Sequence, residues 1–98
     1  SLLGVRSNLE ESTDKGRIDC TLELNDKIYI IEFKYGEKGT MSYLLKQAMT
    51  QINSHKYFEP FEGLGKDIWM LGVGFLVKEN AKLKKNLLTI DGDLRLHE

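Results

Sequence analysis

Only one cysteine, Cys20, occurs in the chain, so no internal disulfide can hold the fold together. A lone thiol suits a reducing compartment, and the expected location is cytoplasmic. A single proline and the lack of any low-complexity stretch argue against a disordered or collagen-like chain. No apolar run approaches the roughly 18 residues a membrane helix needs, and no basic and apolar leader opens the sequence, so no membrane partner is expected. Charge of one sign is missing too: 14 basic residues against 15 acidic ones leave a net charge of −1. Attraction of the whole chain to nucleic acid is thereby excluded, and any such footprint must be local. Lys78, Lys82, Lys84 and Lys85 form one local candidate; a solvated face is the plain alternative.

What is present is an ordinary globular composition over 98 residues, 41% hydrophobic and 30% charged, which reads as one domain spanning residues 1–98. The chain opens on Ser1 rather than Met, as a fragment of something longer would. Val5 to Ser12 reads as a strand, followed by turn chemistry at Thr13-Asp14-Lys15-Gly16. Arg17 to Leu24 alternates cleanly, with Ile18, Cys20, Leu22 and Leu24 on one face and Arg17, Asp19, Thr21 and Glu23 on the other. Asn25-Asp26 then forms a hairpin turn, since both residues tolerate positive φ.

Lys27 to Tyr35 is β-branched and aromatic and apolar on both faces, which predicts a central strand covered on both sides. Met41 to about Lys56 carries Met41, Leu44, Leu45, Ala48, Met49 and Ile52 at helical spacing, with Thr40 or Ser42 as the cap. Asp67 to Val77 is a second buried strand, and its Gly72 and Gly74 suggest close packing rather than a phosphate loop. Glu79 to Lys85 reads as a short helical turn, and Leu87 to Leu96 as an edge strand around an Asp91-Gly92 turn. A helix between strands implies a crossover and an α/β or mixed sheet.

The hairpin register carries the chemistry. A two-residue turn pairs Leu24 with Lys27, and counting back sets Asp19 opposite Glu32 and Arg17 opposite Lys34. Asp19, Glu32 and Lys34 then share a face. Opposed carboxylates repel, and Glu32 lies in one of the most apolar segments, so a positive partner is required. Lys34 is one answer and a hard divalent cation another. A buried ion pair of Glu32 with Lys34 or Arg17 that merely holds the register is the structural alternative. Gln51 flanks the apolar stripe of the helix, Tyr57 closes the core or joins the site, and His55 is expected to be exposed.

Gly16-Arg17-Ile18-Asp19 and Ile31-Glu32-Phe33-Lys34, followed by Gln51-Ile52-Asn53-Ser54-His55-Lys56-Tyr57, resemble the PD-(D/E)XK nuclease superfamily. They resemble in particular the nuclease-like domain appended to AAA-type ATPase-like proteins. The resemblance implies a restriction-endonuclease-like α/β fold: a mixed sheet, an antiparallel hairpin carrying the site, and a crossover helix, here with its N-terminal helix reduced or missing. It implies a Mg2+- or Mn2+-dependent hydrolase cutting DNA, with Asp19, Glu32 and the Phe33 carbonyl as metal ligands. Lys34 would activate water and steady the phosphate, and Gln51 would position the metal, its water or the DNA. Glu10 or Glu11 would add an acid from the first strand. A homodimer and a covalently linked ATPase-like domain are compatible partners. The other function class is a catalytically silent module binding nucleic acid or protein.

Overall fold

The computed structural model describes residues 5–13 and 16–98, with side chains from Ile18 onward. Five strands form one sheet in the order β1 (Val5–Thr13), β2 (Gly16–Leu24), β3 (Lys27–Gly36), β4 (Asp67–Asn80) and β5 (Lys85–His97). β1, β2 and β3 meander antiparallel, β3 and β4 are parallel, and β5 returns antiparallel to β4. The one parallel pair needs a crossover, which α1 (Met41–Ser54) and a 3-10 turn at Glu59–Phe61 provide. None of the described helices is long and apolar enough to cross a membrane.

The predicted hairpin is present. Leu24 pairs with Lys27 across Asn25-Asp26, and Asn25 takes the positive φ of 54° that this tight turn demands. Thr40 caps α1, its hydroxyl accepting from the Tyr43 N–H at 3.2 Å. The helix ends at Ser54, two residues short of the expected Lys56, in a Schellman closure. Lys56 is left-handed at φ 51°, with its N–H on the Asn53 carbonyl and the Tyr57 N–H on the Ile52 carbonyl. That closure reverses the chain and drives Tyr57 under the helix, where it is 2% exposed.

Leu44, Ala48, Met49 and Ile52 of α1 are buried toward the sheet, and Met49, Ile52 and Tyr57 join Ile18, Ile28, Ile30, Ile68 and Met70 in the core. Gly72 and Gly74 permit the close approach: a Cβ on Gly72 would stand 2.9 Å from the Ala48 Cβ, and one on Gly74 2.5 Å from the Met41 sulfur.

The expectation that β3 is covered on both sides does not hold among the described residues. Opposed pairs Phe33–Val73 and Tyr35–Phe75, then Phe75–Ile90, Leu71–Leu94 and Trp69–Leu96, put one apolar row after another on the face away from α1. Tyr35 is 62% exposed there, and Leu88 and Ile90 are each 57% exposed. Strand periodicity reports which side a residue takes, not whether anything lies over it.

Two further expectations are corrected. β4 runs on to Asn80 and β5 starts at Lys85, so the expected helical turn shortens to a four-residue turn at 81–84, whose Leu83 N–H donates to Asn80 Oδ1 at 2.9 Å. β5 is continuous through Asp91-Gly92, because Gly92 pairs with Val73 in an unbroken ladder. The hairpin therefore projects past the end of β3, which stops opposite Leu76, and carries Lys78, Lys82, Lys84 and Lys85 at its tip. The projection gives a radius of gyration of 15.3 Å, against about 13 Å for a compact chain of about 100 residues.

Gly72→Ala tests the close approach. The clash is with the base of a helical residue rather than a flexible tip, so α1 must shift, and a loss of about 1–3 kcal/mol in urea unfolding is expected.

Candidate active site

The pairing of β2 with β3 runs from Leu24–Lys27 to Cys20–Ile31. Continued by one step it sets Asp19 across from Glu32. At that point the Asp19 carboxylate, not a backbone carbonyl, accepts the Phe33 N–H at 3.0 Å. N–H and C=O of one strand residue leave on the same side, so the Phe33 carbonyl also faces the β2 side.

Glu32 is 3% exposed, with Asp19 within hydrogen-bonding reach and the Lys34 ammonium 3.6 Å away. Its Oε1 is buried and has no hydrogen-bond partner among the described residues. Burial and the neighbouring Asp19 charge push the Glu32 carboxyl up to about 7, against the smaller opposing pull of Lys34. The ion pair with Lys34 therefore exists but leaves one carboxylate oxygen without a partner among the described residues, and the Arg17 side chain of the structural alternative lies outside them.

Lys34 is held in turn. Its Nζ donates to Gln51 Oε1 at 2.5 Å, and Gln51 Nε2 donates to the Tyr57 hydroxyl at 3.1 Å. Gln51 thus spends both ends of its amide fixing the lysine. His55 is exposed, as expected, and stacks on Tyr57 with ring centroids 5.4 Å apart. Cys20 is a buried core thiol, raised by burial and by Asp19.

The sequence-predicted residues Asp19, Glu32, Phe33, Lys34, Gln51 and Tyr57 thus form one connected group. The side chains of Glu10, Glu11 and Arg17 lie outside the described residues, as does the Asp14-Lys15 turn. The backbone alone separates the two glutamates: β1 pairs Leu9 with Cys20 and Glu11 with Ile18, so Glu10 takes the position across from Asp19. Among the described residues no third acidic, His or Cys side chain joins Asp19 and Glu32. Two carboxylates, one with an oxygen that has no partner among the described residues, plus a carbonyl facing the same side are hard donors that fit a cation such as Mg2+, which takes few protein ligands.

The sequence reading did not single out the outer face of α1. A cleft of about 420 Å³ there is lined by Lys34, Tyr43, Lys46, Gln47, Thr50, Gln51, Ser54 and His55. Its signal was available: residues 38–58 contain no Asp or Glu in a chain with fifteen of them.

A scan of protein-family models matches residues 2–85 to the PD-(D/E)XK nuclease superfamily. The chain belongs to that superfamily. Among curated proteins it is similar to an uncharacterized protein in the vnfD 5' region of Azotobacter chroococcum mcd 1. The two are 36% identical over 73 residues, covering 74% of this chain and 13% of the relative. The chain therefore spans only a small part of that relative's length. No solved structure matches it. The mixed α/β sheet with a helix packed on it is the restriction-endonuclease-like architecture of the superfamily.

The raised Glu32 sets a pH dependence. A carboxyl whose folded value lies near 7 rather than 4.5 favours folding while protonated, and that contribution is lost as pH rises through about 7. Without divalent cations, the urea midpoint is expected to fall between pH 5 and pH 8, and Glu32→Gln to flatten that fall. Tyr57→Phe is expected to cost about 1 kcal/mol through the unmatched Gln51 amide, measured on the same urea curves.

Proposed function

We propose that this domain is a metal-dependent nuclease that hydrolyses phosphodiester bonds of DNA. The observation that carries the reading is the buried Glu32 carboxylate, one oxygen unpartnered among the described residues, set between Asp19 and a lysine that is itself held in place. Membership of the nuclease superfamily supports it.

Asp19 and Glu32 would hold Mg2+ or Mn2+, with the Phe33 carbonyl as a third ligand and Glu10, across from Asp19, as a further acid. A bound cation supplies Lewis acidity toward phosphoryl oxygen and lowers the pKa of water toward neutrality. Lys34 lies beside the carboxylates with its ammonium fixed by Gln51, so it meets the scissile phosphate in one orientation at little further ordering cost. Tyr57 is a positioning residue, since it reaches Lys34 only through Gln51. The domain is proposed as one module of a longer polypeptide, which the far greater length of the Azotobacter relative supports; that it includes an ATPase-like domain rests on the sequence resemblance alone.

A catalytically silent interaction module is the second reading, favoured by the bare apolar sheet face, since large exposed apolar patches mark interaction sites. Calorimetric titration of Mg2+ and Mn2+ into the wild type, Asp19→Ala and Lys34→Ala, with plasmid and single-stranded DNA cleavage on the same samples, separates the two. The nuclease reading expects Asp19→Ala to lose both binding and cleavage. It expects Lys34→Ala to keep metal binding while cleavage falls about 100-fold or more, as for removal of one preorganised electrostatic contact. No binding by the wild type at millimolar metal would sink it and leave the silent module.

A further inference from the structure

Two clefts flank the outer face of α1, and both are lined by Lys46, Thr50 and Ser54. These three are spaced four residues apart, so they form a ridge along the helix. The clefts differ in chemistry. The one toward β5 measures about 810 Å³ and is lined by Leu45, Met49 and an ion pair of Asp93 with Arg95, so its added cation is already matched by an acid. The one toward the active site has no acidic lining residue, and Lys34 and Gln51 of the site itself form its inner wall. Its other walls offer ammonium, hydroxyl, amide and imidazole groups. Lys46, Gln47, Thr50 and Ser54 are all exposed, and none of them is an acceptor-only group. Lys34 and Lys46 line this cleft and no acidic residue does, in a chain of net charge −1, so it is a local basic surface of the kind the chain as a whole lacks.

We propose that this cleft holds the sugar-phosphate backbone of the substrate strand beside the bond to be cut, with Lys46 neutralising one phosphate and Gln47, Thr50 and Ser54 donating to its oxygens. This assignment rests on the nuclease reading. Phosphate contacts of this kind set the register of a strand without reading its sequence. The cleft opens directly onto Lys34, so a strand seated in it delivers its next phosphate to the carboxylates. The alternative footprint, Lys78, Lys82, Lys84 and Lys85 at the hairpin tip, contributes nothing to the lining of this cleft.

The test is fluorescence anisotropy of a labelled single-stranded oligonucleotide with the 98-residue chain, without divalent cations, across a salt series. Wild type, Lys46→Ala, Thr50→Ala with Ser54→Ala, and Lys82→Ala are compared, each checked for folding by circular dichroism. Lys46→Ala is expected to weaken binding to all sequences alike and to lower the logarithmic salt slope by roughly 0.7, the value of one single-strand phosphate contact. The hydroxyl double variant is expected to weaken binding with the slope kept, and Lys82→Ala to match the wild type. A Lys46→Ala variant with wild-type affinity and slope overturns the cleft assignment, as does a larger effect at Lys82. If the wild type still cleaves DNA in that case, the nuclease reading stands without this cleft. A wild type that neither binds nor cleaves overturns both.

Discussion

The structure turns on a carboxylate placed where a carboxylate is expensive. Glu32 stands in β3 between isoleucine and phenylalanine, 3% exposed, with another acid beside it. An ion of this kind in the interior costs several kcal/mol unless it is paired and hydrogen-bonded. The arrangement around it answers that cost in part: Lys34 comes within 3.6 Å, and Gln51 and Tyr57 hold Lys34 there. The remainder is met by protonation, which is why the carboxyl sits near 7. A group poised between neutral and ionised at ordinary pH is also one that a cation would convert to its charged form, so the burial cost and the metal binding we propose would share one cause.

How much of this could be read from the residues differs by element. The hairpin was readable from Leu24–Lys27 to Cys20–Ile31, because Asn25-Asp26 defines the turn and period-two alternation then runs back along both strands; beyond that point the expected pairing of Arg17 with Lys34 is not part of the ladder. The helix was readable from its apolar stripe and its Thr40 cap. Replacement of a ladder bond by the Asp19 side chain was not, since alternation describes a regular strand and Asp19 bonds where the regular pairing with β3 stops. The Gln51–Lys34 bond was not readable either. A helical wheel places Gln51 at the edge of the stripe but does not say which sheet residue lies under that edge. Tyr57 depended on Lys56 adopting a left-handed conformation, which a lysine adopts only when the surrounding closure holds it.

The tail was misread for a related reason. Asp91-Gly92 is a strong turn signal locally, yet Gly92 sits in the ladder opposite Val73 because β4 offers a long, continuous edge. Pairing along thirteen residues of β5 outweighs one dipeptide's preference. The same pairing builds the bare apolar face, since Trp69, Leu71, Phe75 and Val77 of β4 each have an apolar partner from β5 beside them.

The sheet thus separates two kinds of surface by strand alternation alone. In β3, Ile28, Ile30, Glu32 and Lys34 are the helix-side residues, and Tyr29, Ile31, Phe33 and Tyr35 take the other side. A one-residue slip of β3 would exchange them, moving Glu32 out of the site and setting Phe33 against α1. Gly72 and Gly74, paired with Glu32 and Lys34, would then no longer lie beside the two catalytic candidates, and the close seat of α1 that brings Gln51 to Lys34 would be lost. Site and packing therefore specify the same register: the glycines that let the helix approach are the direct cross-strand neighbours of the residues the helix must reach.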